Sequence, residues 1–286
     1  MLIRSLSEID FLPLHSTLSE VFAEKNRHFF FNKWQAQQRW QRIGAVYPIS
    51  FGAFEGEKLV GFLISATGEW RGGKAVYNGG LGILKNYRNR GIATQLYAHL
   101  EEKLASEEQV QALLLEVLVE NRVARAFYER LGFVVVRELA CYLAQNSGYQ
   151  HFRSGAVVLR QQKPDWFFYQ TLQIKWNTSY PSWQNLPAAI ARNTPPETVF
   201  EAYWQEQIVG FISFDAQNGR ISQIAVAPDF RRRKIGSQLL QQAQNFILPK
   251  FVSILNIEPL PEVEAFFAYH RFKKIALQYE MQKEIR

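Results

Sequence analysis

Apolar residues change their spacing repeatedly along this chain, and the changes mark out its elements. The stretch from Tyr77 to Leu104 shows this most clearly: an apolar strand runs into a basic, glycine-containing turn. The turn opens a helix with apolar residues at Ile92, Leu96, Leu100 and Leu104, a spacing that gathers them on one face. Upstream, residues 2–47 read as helical and aromatic, with His28-Phe29-Phe30-Phe31, Trp34, Trp40 and Tyr47 among Lys33, Arg39 and Arg42. Strands are predicted at 50–54 and 59–65 across Glu55-Gly56-Glu57-Lys58, and at 75–84 after a second turn at 68–73. Gly79, Gly80 and Gly82 lie inside that last strand, where glycine marks a bulge or the close approach of a backbone or ligand. Residues 112–119 are nearly all apolar, as in a strand covered on both faces, and Glu116 interrupts them. A helix over 122–130 is closed by Gly132, and 133–143 alternate as one or two strands.

Beyond the small polar segment Gln145-Asn146-Ser147-Gly148, which reads as a linker, the order repeats. A strand at 156–160 leads to an aromatic helical region from Trp166, and a turn at 193–196 precedes strands at 198–204, 208–214 and 220–227. The basic turn from Asp229 to Lys234 opens a helix at Ile235, followed by a strand at 252–257, a helix at 261–269 and a strand at 275–282. Phe133 and Phe272 close matching joints, and Arg88 and Arg231 open matching turns, at nearly the same offset. The chain is therefore expected to be a tandem repeat of one layered α/β (α+β) fold, with domains at 1–144 and 145–286. Its 286 residues suffice for two cores.

Composition narrows the classes. Hydrophobic residues at 47% and charged residues at 21% argue against a disordered or fibrous chain. A net charge of +7 favours anionic partners, although nucleic acid is the less expected of these at so modest an excess. The single cysteine, Cys141, allows no intrachain disulfide and reads as a small core residue. No stretch approaches the ~20 apolar residues of a membrane span, and residues 1–8 lack a secretory pattern, so a cytoplasmic protein with no membrane partner is expected. His15, His28, His99, His151 and His270 have no ligand spacing, and no metal is expected.

The turn Arg88-Asn89-Arg90-Gly91-Ile92-Ala93 resembles the R/Q-x-x-G-x-G/A signature of the GCN5-related N-acetyltransferases (GNAT). The run Leu115-Glu116-Val117 to Asn121, continuing through Ala126-Phe127-Tyr128 to Gly132-Phe133, resembles that family's second motif, in the form closest to the ribosomal-protein N-terminal acetyltransferases. The resemblance covers residues 50–143. It implies two tandem acyl-CoA N-acyltransferase folds, each a mixed, mostly antiparallel twisted sheet flanked by helices, and acetyl-CoA as cofactor. The amides of Arg90, Gly91, Ile92, Ala93 and Thr94, with Arg88 and Asn89 beside them, would then hold the pyrophosphate. Ile83 and Leu84 would lie against the pantetheine. Tyr128 would be the general acid, and Glu116 either the base, acting through water, or one half of a structural ion pair. Asn121 would bond the pantetheine or cap the following helix.

The second copy departs from this pattern at Lys234, Phe267 and Arg271, which stand where Gly91, Tyr128 and Gly132 stand in the first. A lysine there would fill the phosphate pocket or bind phosphate itself, and phenylalanine donates no proton. The second domain is therefore expected to be degenerate. The acceptor would be a primary amine, on a small molecule or at a peptide N-terminus, and the chain a monomer or homodimer. The other class left open is a non-catalytic acyl-CoA-binding or regulatory protein, bound to nucleic acid through Arg231 to Lys234.

Overall fold

Leu2–Ser5 is a strand, β1, where the pattern over 2–47 suggests only helix. Four residues are too few to show alternation, and tertiary pairing decides the matter: Leu2 to Ser5 lie antiparallel to Phe54 to Phe51. The Arg4 guanidinium also holds both carboxylate oxygens of Asp10, at 2.7 and 2.8 Å. The computed structural model describes residues 1–23, 32–105, 109–146, 157–176 and 179–285. The expectations for His28-Phe29-Phe30-Phe31, Ser147-Gly148, His151 and Ala156 lie outside the described residues.

Helices α1 (Phe11–Ala23) and α2 (Lys33–Ile43) follow β1. Asn32 caps α2 by accepting the Gln35 amide at 2.8 Å, while the Gln35 side chain returns the bond at 3.0 Å. Next come β2 (Phe51–Glu55), β3 (Lys58–Trp70) and β4 (Gly73–Ile83). The turn expected over 68–73 shrinks to Arg71-Gly72, both left-handed at φ 49° and 84°, because β3 continues to Trp70 in register with Gly73. Then follow α3 (Ile92–Ala105), β5 (Val110–Leu118), α4 (Arg122–Arg130) and β6 (Val134–Gln145).

The second half holds β7 (Val158–Gln162), α5 (Trp166–Trp176), α6 (Pro187–Ala191), β8 (Thr198–Trp204), β9 (Gln207–Asp215) and β10 (Arg220–Val226). It closes with α7 (Ile235–Phe246), β11 (Phe251–Ile257), α8 (Pro261–Tyr269) and β12 (Lys273–Glu284).

Two compact units form, and neither is an uninterrupted half of the chain. The first takes Met1–Val117, Val123–Val136 and Glu280–Arg286, and the second takes Leu118–Arg122 and Arg137–Tyr279. Within the first unit, β1 to β4 are antiparallel neighbours and β4 runs parallel to β5. There Ile285 donates its N–H to the Gln111 carbonyl at 2.9 Å, and Lys283 pairs with Glu101 at 2.6 Å. Within the second unit, β6 pairs antiparallel with β11 from Gln145↔Phe251 to Ala140↔Ile257, and β11, β10, β9, β8 and β7 follow in that order. The first core is built on Phe62, Leu63, Ile64, Ile92, Leu96 and Leu100. The second joins Val209, Ile212, Phe214, Leu239 and Val252 to Ala140, Tyr142 and Ala144 of β6. Cys141 is buried.

Candidate active site

In the first unit, two strands that start as partners separate. β4 and β5 pair in parallel from Lys74↔Val110 to Asn78↔Leu115. Beyond that point β4 continues to Ile83 and β5 to Leu118 with no register between them among the described residues. A bulge bends β4 at the same place: its pairing with β3 jumps from Asn78↔Ser65 to Gly80↔Ile64, leaving Gly79 extra. A Cβ on Gly79 would stand 2.1 Å from Ile43 Cδ1, so the bulge packs closely against α2.

At the end of β4 the chain makes a short 3-10 turn, Lys85–Tyr87, and then takes left-handed conformations at Asn89 (φ 61°) and Gly91 (φ 74°). Gln95 donates its N–H to the Gly91 carbonyl at 3.0 Å, so the amides of Gly91, Ile92, Ala93 and Thr94 precede the helical ladder. Such amides lack intrahelical acceptors and form the positive end of the helix dipole. The arginine side chains serve the turn itself. Arg88 Nε donates to the Ile83 carbonyl at 3.0 Å, and Arg90 donates to the Asn86 carbonyl at 2.8 Å with its guanidinium over the Tyr87 ring. Leu84 donates its N–H to the Val60 carbonyl at 2.9 Å. A Cβ on Gly91 would meet nothing closer than Gln95 Nε2 at 3.8 Å. Within the chain this glycine is therefore required by its φ alone, and the space above it is open to a ligand.

Tyr128 on α4 is buried among the rings of Tyr97, Phe127 and Phe133, with centroids 6.1, 5.4 and 5.8 Å away. Its hydroxyl oxygen accepts from Asn78 Nδ2 at 3.5 Å. Burial pushes its pKa up to about 12, against the opposing pull of the Asn78 bond. Burial also raises Tyr97 well above the ordinary phenol range.

Glu116 is half-buried on β5 and accepts the hydroxyl of Tyr77 at 2.9 Å. Tyr77 sits opposite Leu114, two residues before Glu116, which places both side chains on one face of the sheet. Tyr77 was missed in the sequence, where it reads as one more apolar position of β4. Only the parallel register between β4 and β5 identifies it as the partner of Glu116. Asn121 falls in the segment Leu118–Arg122 of the second unit, where its N–H donates to the Leu118 carbonyl at 2.9 Å.

The second unit repeats the backbone of this site closely. β10 and β11 pair in parallel at Arg220↔Ser253 and Ile221↔Ile254, then run on to Val226 and Ile257. Arg232 and Lys234 both have φ 62°, Arg231 Nε donates to the Val226 carbonyl at 3.2 Å, and Gln238 N–H donates to the Lys234 carbonyl at 3.0 Å. Lys234 thus keeps the conformation of Gly91, and its side chain is exposed. A cavity of ≈ 610 Å³ opens here, lined by residues that include Gln223, Lys234, Gly236, Ser237, Asn256 and Phe267. Phe267 lies buried against Tyr142 and Phe272 and offers no proton. Among the described residues no group of three His, Cys, Asp or Glu side chains is placed to hold a metal ion. Likewise, none of their helices is long and apolar enough to cross a membrane.

Residues 16–133 match the model of the Acetyltransferase (GNAT) family, and residues 173–283 match that of an Acetyltransferase (GNAT) domain. Over 131 residues the chain is 30% identical to N-alpha-acetyltransferase 30 of Schizosaccharomyces pombe, covering 45% of this chain and 78% of that protein. Over 94 residues it is 35% identical to N-alpha-acetyltransferase MAK3 of Arabidopsis thaliana, covering 33% and 49% respectively. A GCN5-related N-acetyltransferase from Sphaerobacter thermophilus has a similar fold, with a TM-score of 0.75 at 14% identity over 100% of this chain and 96% of that one. So does a tandem GNAT protein from the clavulanic acid biosynthesis pathway, with a TM-score of 0.72 at 15% identity over 99% and 98%.

This chain belongs to the GNAT acetyltransferase family. It is an acetyl-CoA-dependent N-acetyltransferase built from two tandem GNAT folds.

Proposed function

We propose that the first unit is the catalytic one and that it acetylates the α-amine of a peptide N-terminus. The observation that carries this reading is the gap between β4 and β5, with Tyr128 and the Tyr77–Glu116 pair beside it. Asn78 and Tyr77 are consecutive on β4, so their side chains point to opposite faces. The Tyr128 hydroxyl, bonded to Asn78, and the Glu116 carboxylate, bonded to Tyr77, therefore flank the strands from different sides. The relatives named N-alpha-acetyltransferase support a peptide α-amine as acceptor.

Acetyl-CoA, when bound, supplies an acetyl group on a thioester whose leaving group is a thiol. The residues present fit it: after the left-handed turn at Asn89 and Gly91, the amides of residues 91–94 precede the first ladder bond and the space above Gly91 is open, which suits a pyrophosphate. Tyr128 holds a proton at its hydroxyl for the departing sulfur. Glu116 is held by Tyr77 and takes the proton of the incoming ammonium. In the second unit the same turn survives without a proton donor at Phe267, which supports a structural or acceptor-shaping role there.

The test is a panel of peptides with varied first residues, set beside amino sugars and polyamines and read by release of free thiol from acetyl-CoA. Turnover of peptides, abolished when their N-terminus is already acetylated, is expected. Turnover of small amines with none on peptides overturns the acceptor. A second measurement bears on the cradle. Gly91→Ala is expected to fold, because only the flexible Gln95 side chain lies near the new Cβ, at a cost of about 1–2 kcal/mol for the left-handed backbone. It should raise the calorimetric Kd for acetyl-CoA by roughly tenfold or more, through loss of a charge-assisted contact. Lys234→Gly should leave that Kd unchanged if the first turn is the one in use.

A further inference from the structure

Asn78 joins two buried phenols whose protons have to point somewhere. Its Nδ2 donates to Tyr97 Oη at 2.7 Å and to Tyr128 Oη at 3.5 Å, while its Oδ1 accepts the Gly80 N–H at 2.9 Å. A backbone N–H can only donate, so the Gly80 bond settles which end of the amide is oxygen. The bulge at Gly79 is what brings the Gly80 N–H back to its neighbour two residues earlier. Nδ2 carries two hydrogens, and the two phenols take both. A phenol oxygen that receives a hydrogen from one side must carry its own hydrogen in another direction.

We infer that Asn78 is a positioning residue for acetyl transfer. By donating to Tyr128 it keeps the phenol's own proton turned away from the amide and available to the gap between β4 and β5. When that proton passes from Oη to the departing thiolate sulfur, the O–H electron pair stays on the phenolate, the Nδ2 hydrogen stabilises the charge, and solvent returns a proton to Oη later. Tyr97 fills the remaining amide hydrogen, so the amide cannot swing away from Tyr128 without leaving a buried phenol unpaired. This inference rests on the reading of Tyr128 as the general acid.

Asn78→Asp separates the possibilities. It keeps the shape of the side chain and the Gly80 bond but turns the donating end into an acceptor. Three donors then face the carboxylate, Gly80 N–H and the two phenols, and favour its ionised form. Tyr128 is thereby made to donate inward. In protein free of cofactor, the Cζ carbon resonances of Tyr97 and Tyr128, assigned with Tyr→Phe variants, are expected to shift together. With acetyl-CoA and an accepted amine, kcat should fall by roughly tenfold or more, while KM for acetyl-CoA stays within about twofold. In a Tyr128→Phe background Asn78→Asp should cause no further loss. Asn78→Ala, which removes the donor without inverting it, should show a smaller loss with the same dependence on Tyr128.

An unchanged kcat in Asn78→Asp, or an equal loss in the Tyr128→Phe background, overturns the inference. If Tyr128→Phe alone keeps the parental kcat, the acid reading falls and the inference with it. If Tyr128→Phe is slow while Asn78→Asp is not, only the role of Asn78 falls.

Discussion

Tyr128→Phe is expected to lower kcat by on the order of 10²-fold or more, within the range that a positioned general acid contributes, while the Kd for acetyl-CoA stays within about twofold. The substitution removes one oxygen and leaves the ring packed on Tyr97, Phe127 and Phe133. Its Asn78 bond is long, at 3.5 Å, so the loss in stability should be no more than about 1 kcal/mol. The second unit already shows a phenylalanine accommodated at the matching place, Phe267 against Phe272.

The pH dependence follows from the same burial. The phenol is raised to about 12, so Tyr128 holds its proton throughout the neutral and mildly alkaline range, as the proposed acid must until the departing sulfur, with an ordinary thiol pKa of ~8.5, gains charge. A pH–rate profile should therefore rise as the amine and its base deprotonate. It should show no descending limb from Tyr128 until the pH nears 12. Stopped assays of thiol release with the parent and Tyr128→Phe decide the point: equal kcat values would remove the phenol from the chemistry.

The residues of this site were legible to different degrees, for physical reasons. The turn proposed to hold the pyrophosphate could be read because its demands are local: glycine at a left-handed position, then an apolar stripe that fixes the helix. Glu116 stood out because a carboxylate in an apolar strand needs a partner. Its partner did not stand out, since Tyr77 lies 39 positions away and meets it only through a parallel register set across the α3 crossover. Asn78 was hidden for a related reason: the glycines after it signal a bulge, which the pairing with β3 places at Gly79, but they do not show that the bulge turns the Asn78 amide toward two phenols from α3 and α4. Lys234 is the counterpart of Gly91 in the second unit. A lysine in place of glycine is expected to fill the phosphate pocket or bind phosphate; it adopts φ 62° with its side chain exposed, at a cost of about 1–2 kcal/mol. The second unit thus differs from the first more in its side chains than in its backbone path. The alternation in 133–143 and 275–282 announced strands, but period-two patterning states which face is buried and never which strand lies alongside.

That last gap has a consequence for dissection of the chain. A fragment ending at Ala144 is expected to be insoluble or loosely folded and to bind no acetyl-CoA, even though it contains every residue proposed for the chemistry of the first unit. It lacks Glu280–Arg286, and with them the Ile285–Gln111 backbone bond, the Lys283–Glu101 pair and Met281, which is 0% exposed in the full chain. Losing a fully buried methionine side chain costs about 2–5 kcal/mol by itself, a large share of the ~5–15 kcal/mol that holds a domain together. At the same time, Ala140, Tyr142 and Ala144, which the second unit buries against β11, would end on an unpaired, apolar strand. Such an edge recruits other chains. Circular dichroism, urea unfolding and calorimetry with acetyl-CoA on the fragment and the full chain provide the test. Restoring residues 273–285 to the fragment through a flexible linker should recover part of the lost stability, because it returns the missing strand. A soluble 1–144 fragment that unfolds cooperatively and binds acetyl-CoA as tightly as the full chain would show that the terminal strand is dispensable to the first unit.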